Sequence, residues 1–599
     1  MRKPRFGHSL LLGSTAAGIG ALALTWLPGT EAASGSSQLL DPNYLAQQIC
    51  RGMQRKAEFF RPGTFMAVAQ AATTSADAMT AGPALRDDLG TFSVAITTRS
   101  PEAQRWFDQG VRWAYAFNHG EAVRAFRAAQ QADPTCAMCY WGEAWALGPN
   151  INYPMQPEAV APAFAAIAQA MALRGGAGEV ERAEIEALAA RYSPDPAADR
   201  KALDAAYAEA MGKVVAAFPD QDEAQVLFAD ALMNLQPWDY WQPDRVTPKG
   251  RTAEQVAALE RVLRRSPGHP GAIHLYIHTV EATTSPERAE PFADRLNGQM
   301  PGAGHLVHMP AHIYYRIGRY LDSLKVNVAA AQADEALLAT SPQQPVYQYN
   351  YYPHNVHFVL VSARMAGDGA QTIDAAEKLA GLIPKDVATT ILAVQAIQQA
   401  PYFAHAQFSA PQAVLALPDP GSDVPFVQGS WRYARAMAQI RAGDLAAAAE
   451  EGRMLRQITQ ETDFSGLTAW LVPAKDVLMV ADKVVEGQLA RATGDRMAAA
   501  TALEEAARIQ AGLSYMEPPY WYYPVRQTLA AVLLEEGRTD AAIREFQASL
   551  VEAPNNAYAL FGLMSAQEAA GDAAGAKVTR ALFEKAWAGG PETPALAQL

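Results

Sequence analysis

Residues 105–134 read RWFDQGVRWAYAFNHGEAVRAFRAAQQADP. Counted in a 34-residue unit that starts at Ala103, Trp106, Gly110, Trp113, Ala122, Phe126, Ala129 and Pro134 take positions 4, 8, 11, 20, 24, 27 and 32. Recurrence at every three or four residues places side chains on one face of an α-helix, so the stretch predicts a helix pair. Its small residues let the two helices approach closely and its aromatics fill the space between them. Pro134 ends the second helix before the next unit begins. The same phase returns with Trp431, Ala447 and the GDLAAAAEE turn, with Gly487, Ala499 and Ala506, and with Leu529, Ala542, Phe546 and Pro554.

This pattern resembles the tetratricopeptide repeat. The resemblance implies an all-α chain, a tetratricopeptide-type α-solenoid of helix-pair repeats over residues 101–599. Three aromatic and proline-rich insertions interrupt it: GPNINYPMQP at 148–157, PWDYWQPDRVTPKG at 237–250 and LSYMEPPYWYYPVR at 513–526. Such loops project from one edge of a solenoid and line or lid its groove, or pack on neighbouring repeats. The segments FNHGEAVRAFRAA, CAMCYWGEAWALGPNIN, HPGAIHLYIHTVEA and PPYWYYPVRQ are similar to a group of exported bacterial tetratricopeptide proteins, a resemblance that implies an architecture and no activity.

Arg2, Lys3 and Arg5 precede an apolar run from Ser9 to Leu27, and Thr30-Glu31-Ala32 offers a small-x-small cleavage site. Residues 1–32 therefore read as an export signal, with a periplasmic or secreted location expected; uncleaved, the run is just long enough to anchor the chain in a bilayer. Residues 33–100 read as an N-terminal cap and linker in which TFSVAITT, 91–98, predicts one short strand from its β-branched alternation. A net charge of −13 and a pI near 5.4 argue against a nucleic-acid partner or an anionic membrane surface. Three cysteines are too few for a disulfide framework. Cys136 and Cys139 form a C-x-x-C without the following histidine of a haem attachment site, and both a small disulfide and a pair of buried thiols fit it.

Eight of the eleven histidines fall between His269 and His357. In units that begin at Pro270, Gly304 and Pro353, His274 and His278 occupy positions 5 and 9, as do His308 and His312 one unit later. His305 and His354 occupy position 2, and His357 position 5. The resemblance implies that positions 2, 5, 9 and 12 face the concave groove where such proteins hold ligands. Residues four apart share a helix face, and HxxxH is the paired ligand arrangement of helical zinc sites. Neighbouring helices pack about 8–10 Å apart, a gap that two imidazoles can close. All seven are candidate metal ligands, with His274, His278, His308 and His312 as the core. Glu281, at position 12, is a candidate fifth ligand, a carboxylate that orients an imidazole, or a general base. Pro310 predicts a kink or break in the second histidine helix.

A lone histidine on an apolar helix face is usually just hydrogen-bonded in place. Seven together would repel one another when protonated, which favours a metal. Nitrogen ligands with a nearby carboxylate suit copper, zinc or iron; bis-histidine haem is a further possibility. The sequence thus points to a metal-centred cell-envelope protein, an oxidoreductase or hydrolase with Glu281 as its catalytic group. A small molecule or peptide would approach over Trp141, Trp145 and Asp230, with Trp238 and Trp241 at the mouth. The alternative is a non-enzymatic scaffold that holds a protein or peptide partner in the groove.

Overall fold

The computed structural model describes residues 83–341 and 346–599. The expected export signal, Cys50 and most of the cap segment lie outside them. Among the described residues the regular elements are helices, and β-pairing is confined to two isolated bridges, Asn150 with Tyr153 and Trp241 with Pro248. None of the described helices is long and apolar enough to cross a membrane.

The first pair shows why the sequence folds this way. Ser100 caps helix Pro101–Tyr115 by accepting from the Ala103 N–H, and Pro101 sits where a missing amide costs nothing. Asn118 caps helix His119–Ala132 in the same manner. The Phe126 ring then wedges between helices that only glycine allows so close. A Cβ on Gly110, or on Gly142 of the following helix Ala137–Leu147, would lie 2.5 Å from its ring carbons. Phe546 uses Gly562 identically near the C-terminus.

The turn inside a pair is also recurrent. Gly367, Gly443, Gly494 and Gly571 adopt φ of 83°, 81°, 87° and 76°, and the aspartate after each caps the next helix. Glycine enters the left-handed region without a Cβ penalty. In the first pair this position is Phe117, at φ 54°.

TFSVAITT is extended but unpaired with any strand. Its backbone is taken up by side chains of the first helix: Val94 N–H donates to Asp108 at 3.0 Å, the Gln104 amide to Val94 O at 2.8 Å, and Arg112 to Phe92 O at 2.6 Å. The alternation that reads as a strand is therefore that of a ribbon laid along a helix.

The solenoid closes on itself. Helix Pro270–Val280 packs on the first helix with Gly271 against the Tyr115 ring, and Gly302 N–H donates to Asp88 O at 2.8 Å. From the other end, Ala588 N–H donates to Ala366 O at 2.8 Å, Trp587 covers Gly367, and Tyr522 of the third insertion reaches His357. Both ends of the array press on its middle, and its concave side is filled rather than open.

Candidate metal centre

Helix Pro270–Val280, buried along its whole length, carries His274 and His278; Glu281 follows directly. The next unit carries His305 and His308 on Gly304–His308 and His312 on Pro310–Arg316. Pro310 breaks the hydrogen-bond ladder, yet Met309 keeps helical angles of φ −51° and ψ −38°, so the chain continues in line. Met309 itself is fully buried in the hydrophobic core. His354 and His357 lie on Tyr352–Ala366. That helix does not start afresh at Pro353; a π-helical turn, Tyr347–Tyr351, leads into it. Pro353 has no amide for the preceding turn and its ring displaces the carbonyl four residues back, which widens the turn.

Six of the seven candidate histidines form one contiguous group of rings. His274, His278 and His305 present nitrogens within 4.8 Å of one another, and so do His308, His312 and His354; His278, Glu281 and His312 make a third close set. All six are at most 2% exposed, and Glu281 is fully buried. His357 stands apart, because its Nε2 meets the Tyr522 hydroxyl at 3.0 Å.

The hydrogen bonds around these rings fix their tautomers. His274 Nδ1 donates to the Tyr115 carbonyl at 2.6 Å, His278 Nδ1 to Glu281 Oε1 at 2.8 Å, and His312 Nδ1 to Glu281 Oε2 at 2.6 Å. His308 Nδ1 donates to Asn327 Oδ1 at 2.6 Å, an amide whose orientation is set by its nitrogen donating to Ser323 O at 2.7 Å. With hydrogen on Nδ1, each neutral ring turns a bare Nε2 lone pair inward. His274 Nε2, His278 Nε2 and both His305 nitrogens have no hydrogen-bond partner despite full burial. His308 Nε2 and His312 Nε2 face each other at 2.8 Å. Two acceptors at that distance require a cation, either a proton on one ring or a metal ion beside both.

Burial sets the charge states. It holds His274, His305, His308 and His354 well below the usual imidazole range, helped by the neighbouring rings, and lowers His278 less because Glu281 opposes it. For His312 the Glu281 carboxylate outweighs burial and raises the value. Against the pull of its own burial, Glu281 is held down at about 2 by His312 and His278. The site is thus five imidazoles that burial keeps neutral around one buried carboxylate, with His312 the ring that this carboxylate favours in its protonated form.

Aromatic side chains seal it. Phe117 lies 4.3 Å from the His274 ring and stacks at 5.6 Å on His305; Tyr351 covers His305 at 4.4 Å, and Trp238 meets His278 edge-on at 4.8 Å. From the third insertion the Tyr515 hydroxyl donates to Glu517 at 2.5 Å and lies 3.4 Å from Glu281 Oε2, its ring between the Arg245 and Arg316 guanidiniums. The seal differs from the open groove that the sequence leads one to expect. Trp141 and Trp145 stack on each other at 5.5 Å and are buried, so they offer no approach surface. Trp145 and Asp230 line a separate small cavity with His119 and Asn150, behind Tyr115 and Phe117. Trp241 is a buried packing residue whose indole donates to Thr279 O at 2.7 Å. Of the five proposed approach residues, Trp238 is the one whose ring contacts a histidine of the cluster.

Cys136 and Cys139 are disulfide-bonded. Sequence reasoning passes over Asn327, Phe117, Tyr351 and Tyr515, and over Tyr347, whose hydroxyl accepts from the His305 backbone N–H at 3.3 Å. One signal was legible: Phe117 precedes a helix-capping Asn118 where other repeats have glycine before aspartate.

No family model matches the chain, and no curated protein does. Among solved structures it is similar to the human IFIT1 dimer with PPP-AAAA, at 14% identity over 80% of this chain and 88% of that one, TM-score 0.27. Yeast Tom70 matches at 9% identity over 79% and 89%, TM-score 0.26, and the P58(IPK) TPR domain at 13% over 78% and 98%, TM-score 0.21. At such scores the chain paths do not superpose, and what those proteins bind does not transfer. By its own helix pairs, its glycine-aspartate turns and the Phe126 wedge, the chain is a tetratricopeptide-repeat α-solenoid.

Proposed function

We propose that this is an exported solenoid protein that holds a transition-metal centre in its closed interior through the Nε2 atoms of the histidine cluster. The observation that carries the reading is the set of four imidazoles whose Nδ1–H groups are each pinned by an oxygen, while the Nε2 atoms of His274 and His278 have no hydrogen-bond partner and those of His308 and His312 face each other at 2.8 Å. That is the arrangement by which metal-binding histidines are oriented, and an apolar filling would be the ordinary solution were no cation to occupy the space. Glu281 belongs to this orienting shell, since both its oxygens already accept from ring N–H groups. Nitrogen ligands suit copper, zinc or iron, and copper binds such sites most tightly. The apolar N-terminal run and the disulfide both fit an oxidising compartment outside the cytoplasm.

A site with fewer protein ligands than the ion takes leaves a position for chemistry, so oxidoreductase or hydrolase activity is compatible with it. Access restricts the substrate: the cavity beside His354 and His357 measures about 20 Å³, room for little more than a water molecule. The test is elemental analysis of the purified full-length chain and of His278→Ala and His308→Ala, with His405→Ala as a control. Metal in the parent and control but depleted in the two variants is expected. A parent chain that stays empty after supplementation with copper, zinc and iron would overturn the reading and leave the protein-binding scaffold.

A further inference from the structure

Resting on the metal reading above, we infer that the cluster is two three-histidine metal sites, made by using one ligand set twice in successive repeats. The two close sets, His274 with His278 and His305, and His308 with His312 and His354, share no member. Each consists of positions 5 and 9 of one unit and position 2 of the next. The duplication extends beyond the ligands. In each set the position-5 ring donates to an uncharged oxygen, the Tyr115 carbonyl or the Asn327 amide, and the position-9 ring donates to Glu281.

Glu281 is what joins the two. One oxygen orients His278 in the first set and the other orients His312 in the second, so a single buried carboxylate supplies an anionic partner to both sites. It appears in the third close set, but to serve there as a ligand it would have to abandon the ring N–H groups it now accepts. The sets abut: the His278 and His312 ring centres are 5.3 Å apart, and those of His305 and His308 are 6.0 Å apart. One ion of copper, zinc or iron takes about four to six ligands, and it would have to gather six rings from four helices to use this cluster alone. Two ions with three nitrogens each use every ring where it stands. Three protein nitrogens would leave each ion short of its usual ligand count, and what could complete it behind Phe117, Trp238 and Tyr351 would be a small oxygen donor, not a peptide.

The experiment is titration of the metal-stripped full-length chain with copper(II) and, separately, zinc(II), read by bound-metal stoichiometry and, for copper, by the integrated electron paramagnetic resonance signal. Two ions per chain are expected, with a copper signal well below two spins because neighbouring ions couple. His305→Ala and His354→Ala should each bind one ion and show a full one-spin signal. One ion in the parent chain would overturn the two-site inference while leaving the metal reading intact; none would overturn both. Two ions with an uncoupled two-spin signal would also overturn it, since the sites would then not be neighbours. The parent-chain stoichiometry decides the matter even if a variant fails to fold.

Discussion

Phe117 occupies the left-handed position that glycine holds in six other turns, Gly318 and Gly537 included. That conformation costs a side chain about 1–2 kcal/mol, and the ring it delivers touches His274, His278 and His305. Trp238, at φ 65°, and Arg245, at φ 58°, show the same bias: among the described residues, three of the five non-glycine residues with positive φ stand at this site. Backbone strain concentrates where function fixes geometry. Phe117→Gly should relieve the turn but forfeit a buried ring worth about 1.5–3 kcal/mol. The metal-free melting temperature should therefore change little while the metal-loaded one drops, which paired thermal melts would show. Asn327 gives a second test. Asn327→Leu removes the acceptor on His308 Nδ1 and should weaken metal binding about 10- to 100-fold, whereas Asn327→Asp keeps an acceptor and most of the affinity. Competition with a chromophoric chelator measures both; equal losses would mean that Asn327 acts through packing alone.

The insertions act as elements. PWDYWQPDRVTPKG, which precedes the histidine units, and LSYMEPPYWYYPVR, far beyond them in the chain, bring Trp238 and Tyr515 over the cluster, anchored by Trp238 Nε1 to Ile151 O at 3.0 Å and by Gln399 to Tyr520 O at 3.2 Å. Trp238→Ala should leave metal stoichiometry unchanged and speed release to a chelator severalfold in stopped-flow traces, because the wall beside His278 opens. A different element tests the electrostatics of burial. Glu184, on helix Glu179–Ala189, is pushed up to about 8 by burial and then by Glu223 and Glu181. A carboxyl raised in the folded state contributes stability below its unfolded value near 4.5, and that contribution is lost as pH rises through 8. Glu184→Gln removes the loss, so the variant should gain on the parent between pH 5 and 9, by an amount on the order of a few kcal/mol, in denaturant melts across that range.

On the scale of the whole molecule, the cluster ties together the first pair, the central units and the third insertion. A ligand bound there stabilises the closed ring of contacts by about 4 kcal/mol when its free concentration is a thousandfold its dissociation constant. Adding chelator at pH 7.5 should lower the melting temperature by several degrees. At pH 5 the chelator effect should shrink, because protons compete at His312, the ring whose value the Glu281 carboxylate raises. An equal chelator effect at both pH values would speak against histidine ligation.

The sequence by itself determined the repeat, the helix pairs and the phase of the histidines, because these depend on spacings of three, four and 34 residues that report local backbone geometry. It could place His274, His278, His308 and His312 at equal positions of adjacent units, and it foresaw the break at Pro310. Only the tertiary structure decided that the groove is closed, that Trp141, Trp145 and Trp241 are packing, and that His357 answers to Tyr522 rather than to the cluster. The same holds for the oxygen that fixes each ring. Those contacts join residues far apart in the chain, 159 positions for His274 with Tyr115 and 165 for His357 with Tyr522. Such pairings follow from how tightly successive repeats curl, and that curl sums many small packing angles that no single stretch of sequence spells out.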